Sequence, residues 1–166
     1  MRVTRTLTEF DGLIAYLSET PAAIGRMIVG LADEDRRWKP TGAEFSLLEN
    51  VCHLLDIERE GYAVRIERLL EEDGPTLADL DGSRLARERD YNNQNMEEAL
   101  EEFARARDGN VRVAEGLSAA QLERPGTLET VGPITLGGLF SMMRAHDEAH
   151  RREIEELRWR LLARKE

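Results

Sequence analysis

Apolar residues recur three and four apart along four stretches of the chain, with connections carrying Pro and Gly between them, a pattern that predicts four long amphipathic helices. The first runs from about Thr6 to Leu31. Thr20-Pro21 falls inside it: Thr20 suits an N-cap and Pro21 a first helical turn, which predicts either two helices or one kinked helix. A loop from Ala32 to Gly42 follows, with Trp38 and Pro40. The second helix starts at Ser46, where Ser46-Leu47-Leu48-Glu49 reads as a capping box, and runs to about Glu72, stopped by Asp73-Gly74-Pro75. Thr76 to Asp90 is charged and mixed, a long connection with room for a short helical turn. The third helix runs from about Tyr91 to Gly116, its stripe formed by Leu100, Phe103, Ala104, Val111 and Ala114. A second connection spans Gly126 to Pro133. The fourth helix starts at Thr135 as N-cap and reaches about Leu162, with Leu136, Leu139, Met143, Ile154, Leu157 and Leu161 on one stripe. The expected fold is all-α, a four-helix bundle whose two long connections argue against the simplest up-down-up-down order.

Composition narrows the function. The chain has 166 residues, which fits one domain over 1–166. Its net charge is −10. Nucleic-acid binders gain affinity by neutralising phosphates with Lys and Arg, so an acidic chain is not expected to take DNA or RNA as a partner. The Arg-rich patch at Arg84 to Arg89 is broken up by Glu88 and flanked by Asp90, as in a solvated mixed-charge face. Cys52 is the one cysteine, which leaves no intrachain disulfide and fits a reducing, cytoplasmic location. The first residues, MRVTRTLTEFDG, lack the apolar core of a signal peptide, and no apolar run approaches the roughly 18 residues that span a bilayer, so no membrane association is expected.

The candidate chemistry lies in three histidines, the only ones present: His53, His146 and His150. His146 and His150 are four apart on the fourth helix, so their imidazoles share one face and can clamp one ion from the same side. Asp147 follows the first of them, so the Glu-based mechanism of the H-E-x-x-H metalloproteases does not transfer. Both fall within the stripe of Leu139, Met143 and Leu157 and point inward, where an unpaired imidazole would be costly. Two readings satisfy them: hydrogen-bonded core histidines, or ligands to one metal. His53 lies off the stripe of Leu47, Val51, Leu55 and Tyr62, on the side of Glu49, Asp56, Ile57 and Glu60. Periodicity alone reads it as a surface histidine.

The stretch Phe45-Ser46-Leu47-Leu48-Glu49-Asn50-Val51-Cys52-His53-Leu54-Leu55-Asp56-Ile57-Glu58 resembles the signature of the DinB/YfiT-like superfamily: an aromatic-Ser start, then a histidine, an apolar pair, Asp, one residue and Glu. His146-Asp147-x-x-His150 resembles the second signature of that family, and the resemblance covers nearly the whole chain, Arg107 included. It implies an up-down-down-up four-helix bundle in which His53, His146 and His150 bind one divalent metal, commonly nickel or zinc, with waters completing the shell. It also implies a small-molecule substrate and a homodimer. Phe45 stands where the family usually has tryptophan, so an aromatic wall is kept and an indole donor lost.

Three neutral imidazoles leave coordination positions open, the mark of a catalytic rather than a closed site. Asp56 and Asp147 are carboxylates that could orient imidazole N–H groups or form ordinary salt bridges. Arg107 reads as one partner of a buried ion pair or as a contact for an anionic substrate. Trp38, Phe45 and Tyr62 are candidate pocket walls. Activities of the resembling family include thiol S-transfer with low-molecular-weight thiols, thiol-dependent isomerisation and metal-dependent hydrolysis. The first expectation is a metal-dependent thiol S-transferase acting on small electrophiles with a low-molecular-weight thiol as cosubstrate. The alternatives are a metal-dependent hydrolase and a non-enzymatic metal- or ligand-binding stress protein. Cys52 is about 100° round the helix from His53 and is not expected to be a nucleophile. A ferritin-like di-iron site needs Glu-x-x-His pairs, which none of the three histidines provides.

Overall fold

The computed structural model describes the backbone of residues 2–165 and the side chains of residues 8–165. Helix α1 spans Arg2–Ile28 and the short α2 Asp33–Arg37; α3 spans Leu47–Asp56, continues through a π turn at Ile57–Tyr62 and resumes as α4 at Ala63–Glu71. Strand β1 (Thr76–Leu77), α5 (Gly82–Glu88) and a 3₁₀ turn at Tyr91–Asn93 lead to α6 at Met96–Glu115. After α7 (Ala119–Leu122) come β2 (Pro125–Leu128), β3 (Gly132–Thr135) and α8 (Leu136–Ala163). The bundle is therefore α1, the composite α3–π–α4, α6 and α8.

The strand pairing gives the order of directions. β1 pairs parallel with β2, which joins the chain just after α4 to the chain just after α6–α7. Helices two and three thus end at the same end of the bundle and run the same way. β3 pairs antiparallel with β2 and feeds α8 back from that end. At the other end, Arg37 donates to the carbonyl of Gln94 (3.2 Å) and the Ser46 hydroxyl to Asn92 (2.6 Å), so the starts of α3 and α6 adjoin. The order is up-down-down-up, as the family resemblance implies. The three-stranded sheet was not announced by the sequence, because strands of two to four residues are too short to carry a period-two pattern.

Local signals place most helix ends. Ser46 and Glu49 form the expected capping box, with the Glu49 amide 3.0 Å from the Ser46 hydroxyl and the Ser46 amide 2.8 Å from the Glu49 carboxylate. Thr135 caps α8 by accepting from the Gly138 amide at 3.0 Å. The third helix starts later than periodicity predicts, capped by Asn95, whose side chain accepts from the Glu98 amide. Its buried face runs through Met96, Ala99, Phe103, Arg107, Asn110, Val111 and Ala114, while Ala104 is exposed.

Two expectations are corrected. Thr20 caps nothing: α1 runs on through Pro21, and the Thr20 hydroxyl donates to the Tyr16 carbonyl one turn back at 3.2 Å. Proline has no N–H, so the Leu17 carbonyl loses its helical donor. Arg107 Nη1 replaces it at 2.8 Å, which is why the proline is tolerated inside the helix. The second helix is also not continuous α-helix. In its π turn the Ala63 amide reaches back five residues to the Glu58 carbonyl. At about 100° per residue His53 and Tyr62 would face opposite ways in an unbroken helix. The wider turn rotates Tyr62 back, and its ring lies 6.0 Å from that of His146.

Arg107 ties all four helices together. It donates to Glu58 through Nε (2.8 Å) and Nη2 (2.8 Å), to Asp147 through Nη1 (2.6 Å) and Nη2 (2.9 Å), and to Leu17 of α1. The three charged residues are 2%, 1% and 0% exposed, so solvent screens none of these bonds. The guanidinium also lies 5.1 Å from the Phe103 ring centroid. Arg107→Ala leaves two carboxylates buried without a cation. It is expected to lower the unfolding free energy by about 3–5 kcal/mol in urea titrations, whereas the exposed pair partner Arg112→Ala changes it by less than about 1 kcal/mol.

Candidate metal centre

The three histidines meet. His53 Nε2 and His146 Nε2 are 3.2 Å apart, and one nitrogen from each of the three rings lies within 4.8 Å of the others. The ring centroids of His146 and His150 are 4.5 Å apart and those of His53 and His150 4.7 Å. The surface reading of His53 is overturned. α3 is enclosed on nearly every side: Glu49, Asp56 and Ile57, which share the side of His53, are buried, and His53 itself is half-buried. A helix packed nearly all round has no single apolar stripe, so the stripe misplaces the residues between its contacts.

Burial fixes the protonation of the cluster. Desolvation pulls His53 down to about 4 and His146 down to about 3, and lowers His150 as well. Mutual repulsion adds to the shift: His150 acts on both, and His53 on His146. At neutral pH the rings are uncharged, each with a lone pair to give. Two imidazole nitrogens held about 2.0–2.1 Å from one ion stand roughly 3.0–3.4 Å apart, depending on geometry, and the observed 3.2 Å falls within that span. The second nitrogens, Nδ1 of His53 and of His146, are buried with no hydrogen-bond partner. The donor set and spacing therefore fit a divalent ion.

The surroundings of the triad only partly match expectation. Phe45 packs against the His53 ring at 5.5 Å, and Tyr62 meets His146 edge-on, so both wall the site. Trp38 does not reach the site: its indole lies beneath Arg164, about four turns along α8 beyond His150. Asp56 accepts from the Tyr91 hydroxyl (2.5 Å) and from Arg89 (2.7 Å), and Asp147 from Arg107; neither hydrogen-bonds an imidazole. Arg107 makes the buried ion pair rather than facing a ligand. The Cys52 thiol is buried on another side of α3, 3.8 Å from the Tyr91 carbonyl, and burial pushes it up to about 12, so it supplies no thiolate.

Three residues at the site were missed by sequence reasoning. The Asn50 amide oxygen lies 2.7 Å from His150 Nδ1, and Glu153 stands 3.6 Å from the same nitrogen. An Asn buried inside a helix is disfavoured by propensity, and that was the available signal. Gly82, at the start of α5, covers His53: a Cβ there would lie 2.5 Å from His53 Cε1 and 2.6 Å from Nδ1. Nothing local marks Gly82, because the crossing connection brings it to the ring from far along the chain.

A family model described as the DinB superfamily matches residues 16–154. Among solved structures the chain is similar to YfiT from Bacillus subtilis, described as "a probable metal-dependent hydrolase with an unusual four-helix bundle topology". The TM-score is 0.85 and the identity 21%, with 92% of this chain and 87% of that one covered. No protein in the curated set matches. Among the described residues no helix is long and apolar enough to cross a membrane.

The lowered histidines set a pH dependence for the metal-free protein. Their folded values lie below the unfolded value of about 6.5, so the unfolded chain binds more protons as pH falls, and stability is lost from about 6.5 down through the folded values. Urea midpoints of chelator-treated protein are expected to fall from about pH 7.5 to about pH 5, and to fall less steeply in His146→Gln. Parallel slopes for the two proteins contradict this origin.

Proposed function

The chain belongs to the DinB superfamily, and on that premise we propose that it is a metal-dependent enzyme whose ion is held by His53, His146 and His150. The observation that carries the reading is the convergence of three uncharged imidazoles with no carboxylate among them. All three ligands are neutral, so a bound ion keeps its full charge for an anionic fourth ligand. Beside them, one guanidinium faces two carboxylates, a formal excess of one negative charge that favours a cation at the triad. When bound, a divalent ion supplies the Lewis acidity that ionises a thiol or a water near neutral pH.

The residues around the ion do the remaining work. Phe45 and Tyr62 present apolar rings beside the histidines and limit water there. Gly82 leaves the His53 ring its room. The one cysteine is buried and protonated, so a thiol nucleophile comes from a separate low-molecular-weight thiol. We take S-transfer from such a thiol to a small electrophile as the reaction, with zinc or nickel as the ion. Hydrolysis is the second reading, favoured by the described activity of the similar Bacillus subtilis protein.

Purified protein reconstituted with zinc or nickel is expected to hold one ion per chain, and His53→Ala to lose it; full occupancy in that variant refutes the three-ligand site. Thiol conjugation of a haloalkyl probe, assayed over several thiols, is expected to require the ion and to stop with chelator. Ester or amide cleavage without thiol conjugation selects hydrolysis, and no chelator-sensitive turnover of either kind removes the enzymatic reading. Gly82→Ala pushes a methyl into the His53 ring, the more mobile of the two partners. It is expected to weaken metal binding by roughly 10-fold or more, read by chelator competition, with little change in urea midpoint.

A further inference from the structure

We infer that Asn50 is a positioning residue that presets His150 as a ligand, holding its proton on Nδ1 so that Nε2 is the bare nitrogen before any ion arrives. The inference rests on the metal reading of the triad and goes beyond it, because it assigns an unequal state to the three imidazoles.

The amide of Asn50 can stand only one way round. Its Nδ2 lies 3.0 Å from the Ser46 carbonyl and 3.4 Å from Glu153 Oε1, both acceptors. Turned over, Oδ1 would face two oxygens with no proton between them. Oδ1 therefore faces His150 Nδ1, 2.7 Å away, and an amide oxygen can only accept. The proton is on His150 Nδ1, and Nε2 carries the lone pair. Asn50 is itself 0% exposed and its carbonyl anchor, Ser46, is the fixed cap of α3, so the orientation is set by the helix start and not by solvent.

The other two rings have no such partner. Their Nε2 atoms face each other at 3.2 Å while both Nδ1 atoms are buried without hydrogen bonds. For these two Nε2 atoms to hydrogen-bond, one must donate to the other, which puts the proton of that ring where a ligand lone pair is needed. An entering ion has to break that bond and shift a proton within a ring. His150 needs no such change and is the ligand prepared in advance.

The test uses the full-length protein, treated with chelator and labelled with ¹⁵N; three histidines make the imidazole spectrum short enough to assign with single His→Gln variants. In the metal-free wild type, His150 is expected to show protonated Nδ1 and unprotonated Nε2, with the opposite or a mixed state in at least one of His53 and His146. The Nε2-protonated form at His150 overturns the proposal without any variant being needed. Asn50→Leu is expected to release the His150 tautomer and to weaken zinc binding by about 10- to 100-fold in chelator competition. Asn50→Asp combined with Glu153→Gln, which supplies a donor to the second carboxylate oxygen, keeps an acceptor opposite Nδ1 and is expected to retain the tautomer and most of the affinity. Equal loss in both variants assigns Asn50 a packing role only and overturns the proposal. If the wild type binds neither zinc nor nickel, the metal reading fails, while the tautomer of His150 still decides the role of Asn50.

Discussion

One buried guanidinium holds this bundle in register. Arg107 on α6 reaches Leu17 on α1, Glu58 in the π turn of the second helix and Asp147 on α8, so each of the other three helices contributes one partner to a single planar group. Each partner is supplied by a local peculiarity. Pro21 frees the Leu17 carbonyl, the π turn sits at Glu58, and Asp147 stands between the two histidines of α8. A guanidinium donates in a fixed fork, which sets the rotation of each helix about its axis as well as its distance from the others. Two apolar clusters fill the bundle around this network, one including Phe103 and the other Val111 of α6.

The placement of the histidines follows from that constraint. Asp147 adjoins His146 and is three residues from His150, and Glu58 lies five residues after His53. Fixing the two carboxylates on one arginine therefore fixes the parts of the second and fourth helices that carry the histidines. The long connection completes the site from outside the bundle. It climbs back from β1 to the start of α6, lays Gly82 against His53, and ends in Arg89 and Tyr91, which take up the buried Asp56. The residues that first looked like orienting partners for imidazoles, Asp56 and Asp147, are used to fasten the frame. The orienting contact seen at the histidines comes from Asn50.

This division has a chemical consequence. A carboxylate hydrogen-bonded directly to an imidazole would raise its basicity and draw charge toward the ligand. Here the rings are neutral and desolvated, and the buried carboxylate next to them in sequence, Asp147, is bound to Arg107 and not to an imidazole. The site combines uncharged imidazoles with a nearby excess of negative charge, an arrangement that would favour a cation there without neutralising it through its ligands.

Helix number, most helix ends and the inward pair His146 and His150 were legible in the sequence, because capping and helical periodicity are local and α8 has one buried stripe. The membership of His53 was legible only through the family signature. Its helix is enclosed on nearly all sides, so alternation between apolar and polar positions carries no direction there. The choice at Pro21 between two helices and one stayed open because the sequence shows the missing N–H but not the arginine that compensates for it from another helix. The π turn, the small sheet, Gly82 over His53 and the displacement of Trp38 to the far end of α8 were decided by tertiary structure alone. Each depends on which distant groups meet. The sequence by itself determined the helices and the donor chemistry; only the packing of all four helices on Arg107 brought the three donors to one point.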